Sequence, residues 1–300
     1  MPARVFISCG QATPEERATA DGVRRWLVSE GFDAYVAVNV QTISDLNAGI
    51  IGAIRTSDYY LFIDFPRDAI ASGVARRGSL YSHQELAVAY ALDFEHILLV
   101  KHEGVADEGV GKFIVSNIPK ATSHTDVLKL VQDAVAKAGW SKDYSRHLSL
   151  ERLRWGPQIT YGDHTGARAV QVLHGDILNG RPDAAAYDVV AHLASVRDLQ
   201  SGALIAHQDT SLLKASGHIG YSHTIWPKKE RSFDLLAISL NHPSHVFLHS
   251  SLDLNPRQPI VTQPGRYEFH YEFVADRYPL LKVSFELAVG TLPVAAPVIL

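Results

Sequence analysis

The sequence predicts two folded parts, an α/β domain built on a parallel sheet and, after it, an all-β sandwich. Three observations lead there. Through residues 1–140, short apolar runs alternate with amphipathic helical stretches, the pattern of a parallel sheet wrapped by helices. Beyond residue 165 the helical period is gone, and short alternating segments recur between turn residues. A length of 300 residues suits two domains better than one. The division is therefore 1–140 for the α/β domain, 141–165 for a connector and 166–292 for the sandwich.

Arg4–Ser8 (RVFIS) is a compact β-branched and aromatic run and reads as a buried first strand. Thr13 as N-cap with Pro14 at the first helical position opens a helix. Val23, Trp26 and Leu27 share one face of it, and Gly31 ends it. Phe32–Val38 is the second strand. Ser44 or Asp45 caps a helix carrying Leu46, Ile50, Ile51 and Ile54. Tyr59–Asp64 (YYLFID) is apolar almost throughout, as expected of a strand covered on both faces. Pro66–Gly78 reads as an exposed loop, Ser79–Leu92 as a helix, Ile97–Lys101 as a fourth strand and Asp126–Ala138 as a closing helix. This is a flavodoxin-like order of elements.

Lys142–Thr165 shows no sustained period and reads as the connector, with a short helix at Leu148–Leu153. Strand-like runs follow at Ala167–Leu173, Tyr187–Ala194, Phe233–Leu240, Val246–Leu252, Tyr267–Val274 and Leu280–Val289. Pro264-Gly265-Arg266-Tyr267 resembles the approach to a late strand of immunoglobulin-like domains, in which a tyrosine pins the corner. The tail, Thr291–Leu300, reads as partly loose.

Composition narrows the function. A formal charge of −4 argues against a nucleic-acid coat or a membrane-surface protein. The single cysteine, Cys9, rules out an intramolecular disulfide and a cysteine-based zinc site. No run approaches the ~20 apolar residues of a membrane span, and the expected location is the cytoplasm. His242, His245 and His249 invite a metal reading. On a strand, however, positions 245 and 249 lie ~13 Å apart, too far to share an ion, so no metal site is expected.

Ligands of open parallel sheets bind beyond the carboxyl ends of the strands. Ser8–Gln11, Asn39–Asp45 and the start of the helix at Ser79–Glu85 converge on that rim. The runs RVFISCG, GFDAYVAVN, SDYYLFIDF and SLYSHQELAVAYAL, in this order over residues 1–140, resemble a TIR (Toll/interleukin-1 receptor-like) domain. The resemblance implies Glu85 as catalytic glutamate, with Ser82 one turn ahead of it. It places Phe6, Ser8 and Gln11 near a nicotinamide ribose and makes Val40–Asn47, with Asn39 and Asp45 at this rim, a gating loop. NAD is then substrate, not cofactor, and a homo-oligomer forms through this domain, while the sandwich takes an unknown ligand or protein. Two features depart from the family: the loop ahead of Glu85 is more basic (Arg67, Arg76, Arg77), and the 40–47 segment lacks the usual proline.

The chemistry stands without the family. Breaking a base–ribose bond passes through an oxocarbenium-like state. A cationic pyridinium leaves readily, so one carboxylate that holds the ribose and stabilises the positive charge suffices. Asp64 is the nearest auxiliary carboxylate. Ser82 serves equally as a helix cap, His83 faces elsewhere, and Cys9 lacks an activating neighbour. The leading expectation is an NAD glycohydrolase giving ADP-ribose or a cyclised product, in antiphage defence. The alternatives are a nucleoside deoxyribosyltransferase-like enzyme, which also uses a rim glutamate, and a non-enzymatic TIR adaptor.

Overall fold

A computed structural model describes residues 2–37, 43–70, 76–114, 117–163, 166–207, 212–217, 220–248 and 259–300. The chain divides into two compact units, Met1–Ser145 and Arg146–Leu300.

In the first unit, β1 (Arg4–Cys9) pairs in parallel with both β2 (Asp33–Val36) and β3 (Tyr59–Asp64). β6 (Ile97–His102) and β7 (Lys120–Ala121) extend the sheet to the order β2-β1-β3-β6-β7. The chain leaves β1 first to one side and then to the other, which opens a crevice at the carboxyl ends of β1 and β3. Alternation along β1 builds two cores. Val5 and Ile7 join Val23, Leu27 and Val131 under α1 (Pro14–Ser29) and α5 (His124–Ala138). Phe6 joins Ile54, Tyr60, Leu86 and Ala89 under α2 (Ile43–Arg55) and α3 (Leu80–Ala91).

The helix ends follow their local chemistry. Thr13 and Glu16 form a reciprocal capping box around Pro14. Gly31 takes φ +94° just past α1, and Gly139 caps α5 at φ +64°, where a side chain would be strained. The loop expected at Pro66–Gly78 contains a short antiparallel ribbon, β4 (Asp68–Ala69) with β5 (Arg76–Arg77). That ribbon, β7 and the one-turn α4 (Gly111–Ile114) are too short to leave a period in the sequence.

In the second unit, two antiparallel sheets share one core. β8 (Leu148–Asp163), β9 (Gly166–Asn179), β13 (Glu230–Ser239) and β14 (Val246–Phe247) run in the order β14-β13-β9-β8. β10 (Ala186–Asp198), β11 (Leu204–His207), β15 (Gly265–Val274), β16 (Leu281–Val289) and β17 (Val298–Ile299) run β11-β10-β15-β16-β17, and β12 (His223–Ile225) pairs with β10. Leu173, Ile177, Phe233, Phe269, Tyr271 and Phe273 meet in the shared core. The Tyr267 hydroxyl donates to the Gln263 carbonyl, four residues back along the chain, at 3.0 Å.

One expectation for this half is corrected. Leu148–Asp163 is a long strand, not a connector with a helix at Leu148–Leu153. Its register with β9 slips between Leu150 and Arg152 and again between Trp155 and Gln158, which breaks the period of two that identifies a strand. In the tail, expected to be partly loose, β17 pairs with β16 through Phe285–Ile299 and Glu286–Val298. His249 lies outside the described residues. The His242 and His245 rings lie 5.1 Å apart at 30°, a ring contact within a turn.

Candidate functional site

Ser8, next to last in β1, is fully buried on the face that carries Phe6. α3 starts after Ser79, which has extended backbone angles and makes no side-chain cap bond. At ~100° per residue, Ser82, Glu85, Leu86 and Ala89 fall toward the sheet. Ser82, Leu86 and Ala89 are buried there. Glu85 is brought to the end of β1, where the Ser8 hydroxyl donates to Glu85 Oε2 at 2.5 Å. Burial pushes the Glu85 carboxyl above its ordinary value, and the Ser8 hydrogen bond opposes this only in part.

Burial and the nearby charges of Glu85 and Glu16 push the Cys9 thiol up to about 12, against the pull of Arg67. It is therefore a neutral thiol at working pH and no nucleophile. Tyr60, on β3, is fully buried opposite Phe6, on the same face of the sheet as Ser8, and its hydroxyl has no hydrogen-bond partner among the described residues. Reading the sequence missed Tyr60, and the only available signal was a phenol in an otherwise apolar strand.

The other predicted residues separate. Phe6 is a core residue, fully buried and stacked on Tyr60 at 5.5 Å, which corrects its placement beside a ribose. The Gln11 amide donates to the Ala37 carbonyl and ties the two neighbouring loops together. Ser82 is buried one turn before Glu85 and does not cap the helix. Asn39 lies outside the described residues, as does the side chain of Asp45, whose backbone belongs to α2. The same holds for the side chains of the proposed gating loop, Val40–Asn47.

Asp64, buried at the end of β3, meets His83 Nε2 at 2.9 Å, and the His83 ring stands edge-on to Phe62 at 5.2 Å. His83 and Glu85 are two residues apart, ~200° around the helix, and so flank it on opposite sides. A small cleft on the His83 side is lined by Asp64, His83, Lys101 and Asp107, while Glu85 is not among its walls. Two of the three arginines of the preceding loop are engaged: Arg67 with Glu16 at 2.5 Å and Arg77 with Glu108 at 2.8 Å.

Gly78 closes over Asp64: a Cβ here would lie 1.8 Å from Asp64 Oδ1 and 2.5 Å from its Cγ. Gly78→Ala is expected to push Asp64 off His83 and to cost ~1–3 kcal/mol, as overpacking does. Urea unfolding of the variant checks this, and an unchanged midpoint would show that the loop yields freely.

No family model and no curated protein matches the chain. Solved structures similar to it include a 2-deoxyribosyltransferase from Bacillus psychrosaccharolyticus, at 13% identity over 42% of this chain and 90% of that one, with a TM-score of 0.30. A Clostridium botulinum CMP N-glycosidase is similar at 23% identity over 43% of this chain and 98% of that one, TM-score 0.30. A β-glucosidase from Erythrobacter marinus shares 10% identity over 94% of this chain and 46% of that one, TM-score 0.27. Likenesses this slight carry no argument about activity. The TIR resemblance is corrected: no family model supports it, and the solved structures named above are a deoxyribosyltransferase, an N-glycosidase and a glucosidase. The run from Ser79 to Ala87 that carried it is a helix of common design, polar at its start and apolar on its sheet-facing side, which unrelated doubly wound domains also need.

Proposed function

We propose that the first unit cleaves the bond between a base and its ribose or deoxyribose in a nucleoside or nucleotide, with Glu85 as the working carboxylate. The observation that carries this reading is the Glu85–Ser8 contact at the topological switch point of a parallel sheet. A carboxylate held there meets the needs of an oxocarbenium-like state: negative charge beside the anomeric carbon, in a place where desolvation strengthens it. In hydrolysis the C1′–N bond breaks with its electron pair going to the base, which takes up a proton. A water oxygen bonds to C1′ and gives a proton to solvent. In transfer, the Glu85 carboxylate bonds to C1′ as the C1′–N bond breaks, the first base leaving with the electron pair and taking up a proton. A second base then bonds to C1′ through its nitrogen, losing its N–H proton to solvent, and the carboxylate is released. Asp64 is engaged by His83 on the far side of α3, which leaves Glu85 to serve alone. That arrangement suits a base, a better leaving group than a sugar alkoxide.

The second unit is read as an immunoglobulin-like sandwich that serves sensing or assembly, and the Tyr267 corner supports this. The test is base release, followed by chromatography, from CMP, a deoxynucleoside and NAD, each with and without a second free base. Release from CMP or a deoxynucleoside is expected, and base exchange would identify transfer. Release from NAD alone would return the substrate to a pyridinium nucleotide. No release from any substrate would overturn the reading.

A further inference from the structure

Tyr60 is placed with unusual firmness for a residue carrying a polar atom. Its ring stacks on Phe6 at 5.5 Å and 8° and meets Phe94 edge-on at 6.0 Å. Packing on two sides thus fixes where the hydroxyl points. The residue is fully buried, and among the described residues the hydroxyl has no aligned hydrogen-bond partner. A buried hydroxyl without a partner destabilises a fold, and phenylalanine would fill the same space without that penalty. A polar atom kept on these terms, on the same face as Ser8 in the neighbouring strand, belongs to the site.

We propose that Tyr60 is a positioning residue for Glu85: its hydroxyl supports Ser8, so that Ser8 holds Glu85 Oε2 and leaves Oε1 for the substrate. The proposal rests on Glu85 being the working group of the site. Ser8 has one proton, already donated to Glu85, and its remaining lone pairs are acceptors. Tyr60, whose hydroxyl is unpartnered among the described residues and lies on the same face of the neighbouring strand, is the donor proposed for them. A donor into the Ser8 oxygen polarises the Ser8 O–H and strengthens its bond to a charged acceptor more than to a neutral one. The relay therefore favours the ionised carboxylate and works against burial. The titratable groups facing Glu85 are Tyr60 from β3 and Cys9 from β1, and Cys9 stays a neutral thiol.

The experiment is a carboxyl ¹³C titration of Glu85 in the full-length, glutamate-labelled protein, with the resonance assigned by its loss in Glu85→Gln. It needs no turnover, so it reads the relay whether or not base release is found. In Tyr60→Phe the midpoint is expected to rise by about half to one pH unit, a 3–10-fold weaker acid. Ser8→Ala should raise it further, and the double variant should match Ser8→Ala because the relay runs through Ser8. A 3-fluorotyrosine in place of Tyr60, a stronger donor, should lower the midpoint. The melting temperature of Tyr60→Phe should hold or rise, and the acid limb of kcat/KM should follow the midpoint. A midpoint unmoved in Tyr60→Phe and in the fluorinated protein, with Ser8→Ala shifted, would overturn the proposal and leave Tyr60 a packing residue.

Discussion

Glu85→Gln is expected to lower kcat/KM for base release by about 10²–10⁴-fold, the usual range for a lost catalytic proton or charge, and to raise the melting temperature at neutral pH. Both effects come from one fact: the carboxyl is held where its charged form is poorly solvated. The folded-state pKa lies above the ordinary 4.5, so the folded protein favours the protonated acid. Below the ordinary value both folded and unfolded chains are protonated, and the group carries no penalty. As pH rises through the folded value the penalty develops, and above that value it is complete. Glutamine keeps the shape and accepts the Ser8 hydrogen bond without the charge. The variant should therefore melt higher than the parent at about pH 8 and equal to it at about pH 4, where both chains are protonated. Thermal melts at the two pH values, beside turnover, check the claim. Full turnover in Glu85→Gln would remove Glu85 from the chemistry. A variant less stable at pH 8 than at pH 4, relative to the parent, would show that its charge is satisfied.

The largest effect on stability is expected in the second unit. Phe273→Ala removes a fully buried ring from the shared core, where it meets Phe233 edge-on at 5.3 Å. Deleting a buried aromatic costs ~3–5 kcal/mol, part transfer and part cavity. For a unit of this size that corresponds to a fall of roughly 10 °C or more in its melting temperature. Calorimetry of the full chain measures this. A shift of only a degree or two would mean that both sheets collapse into the space, and that their spacing is not set by this ring.

Strongly periodic and strongly capped elements were legible in advance. YYLFID is a strand in the structure over the predicted residues, Tyr59–Asp64, because so short a run, aromatic-rich and apolar almost throughout, fits a strand covered on both faces better than a helix. The Thr13–Pro14 start of α1 follows from local hydrogen bonding alone. β8 was not legible, because two register slips scramble its alternation and its partner β9 supplies the order that its own sequence lacks.

The site divides in the same way. That Glu85 belongs on the rim follows from α3 succeeding a strand, which is a matter of element order. The sequence alone also determined the two-part organisation, the parallel sheet of the first part and the mostly strand character of the second, since these rest on periods of 3.6 and 2 and on local caps. Only the tertiary structure decided that Ser8 reaches Glu85 across 77 residues, that Tyr60 is buried beside Ser8 with its hydroxyl unpartnered among the described residues, that Phe6 is core and that Arg67 turns to Glu16. The physical reason is that such contacts depend on which strand ends lie side by side and on which way each side chain packs. No local period carries that information, because a residue's neighbours across a sheet are chosen by the whole fold.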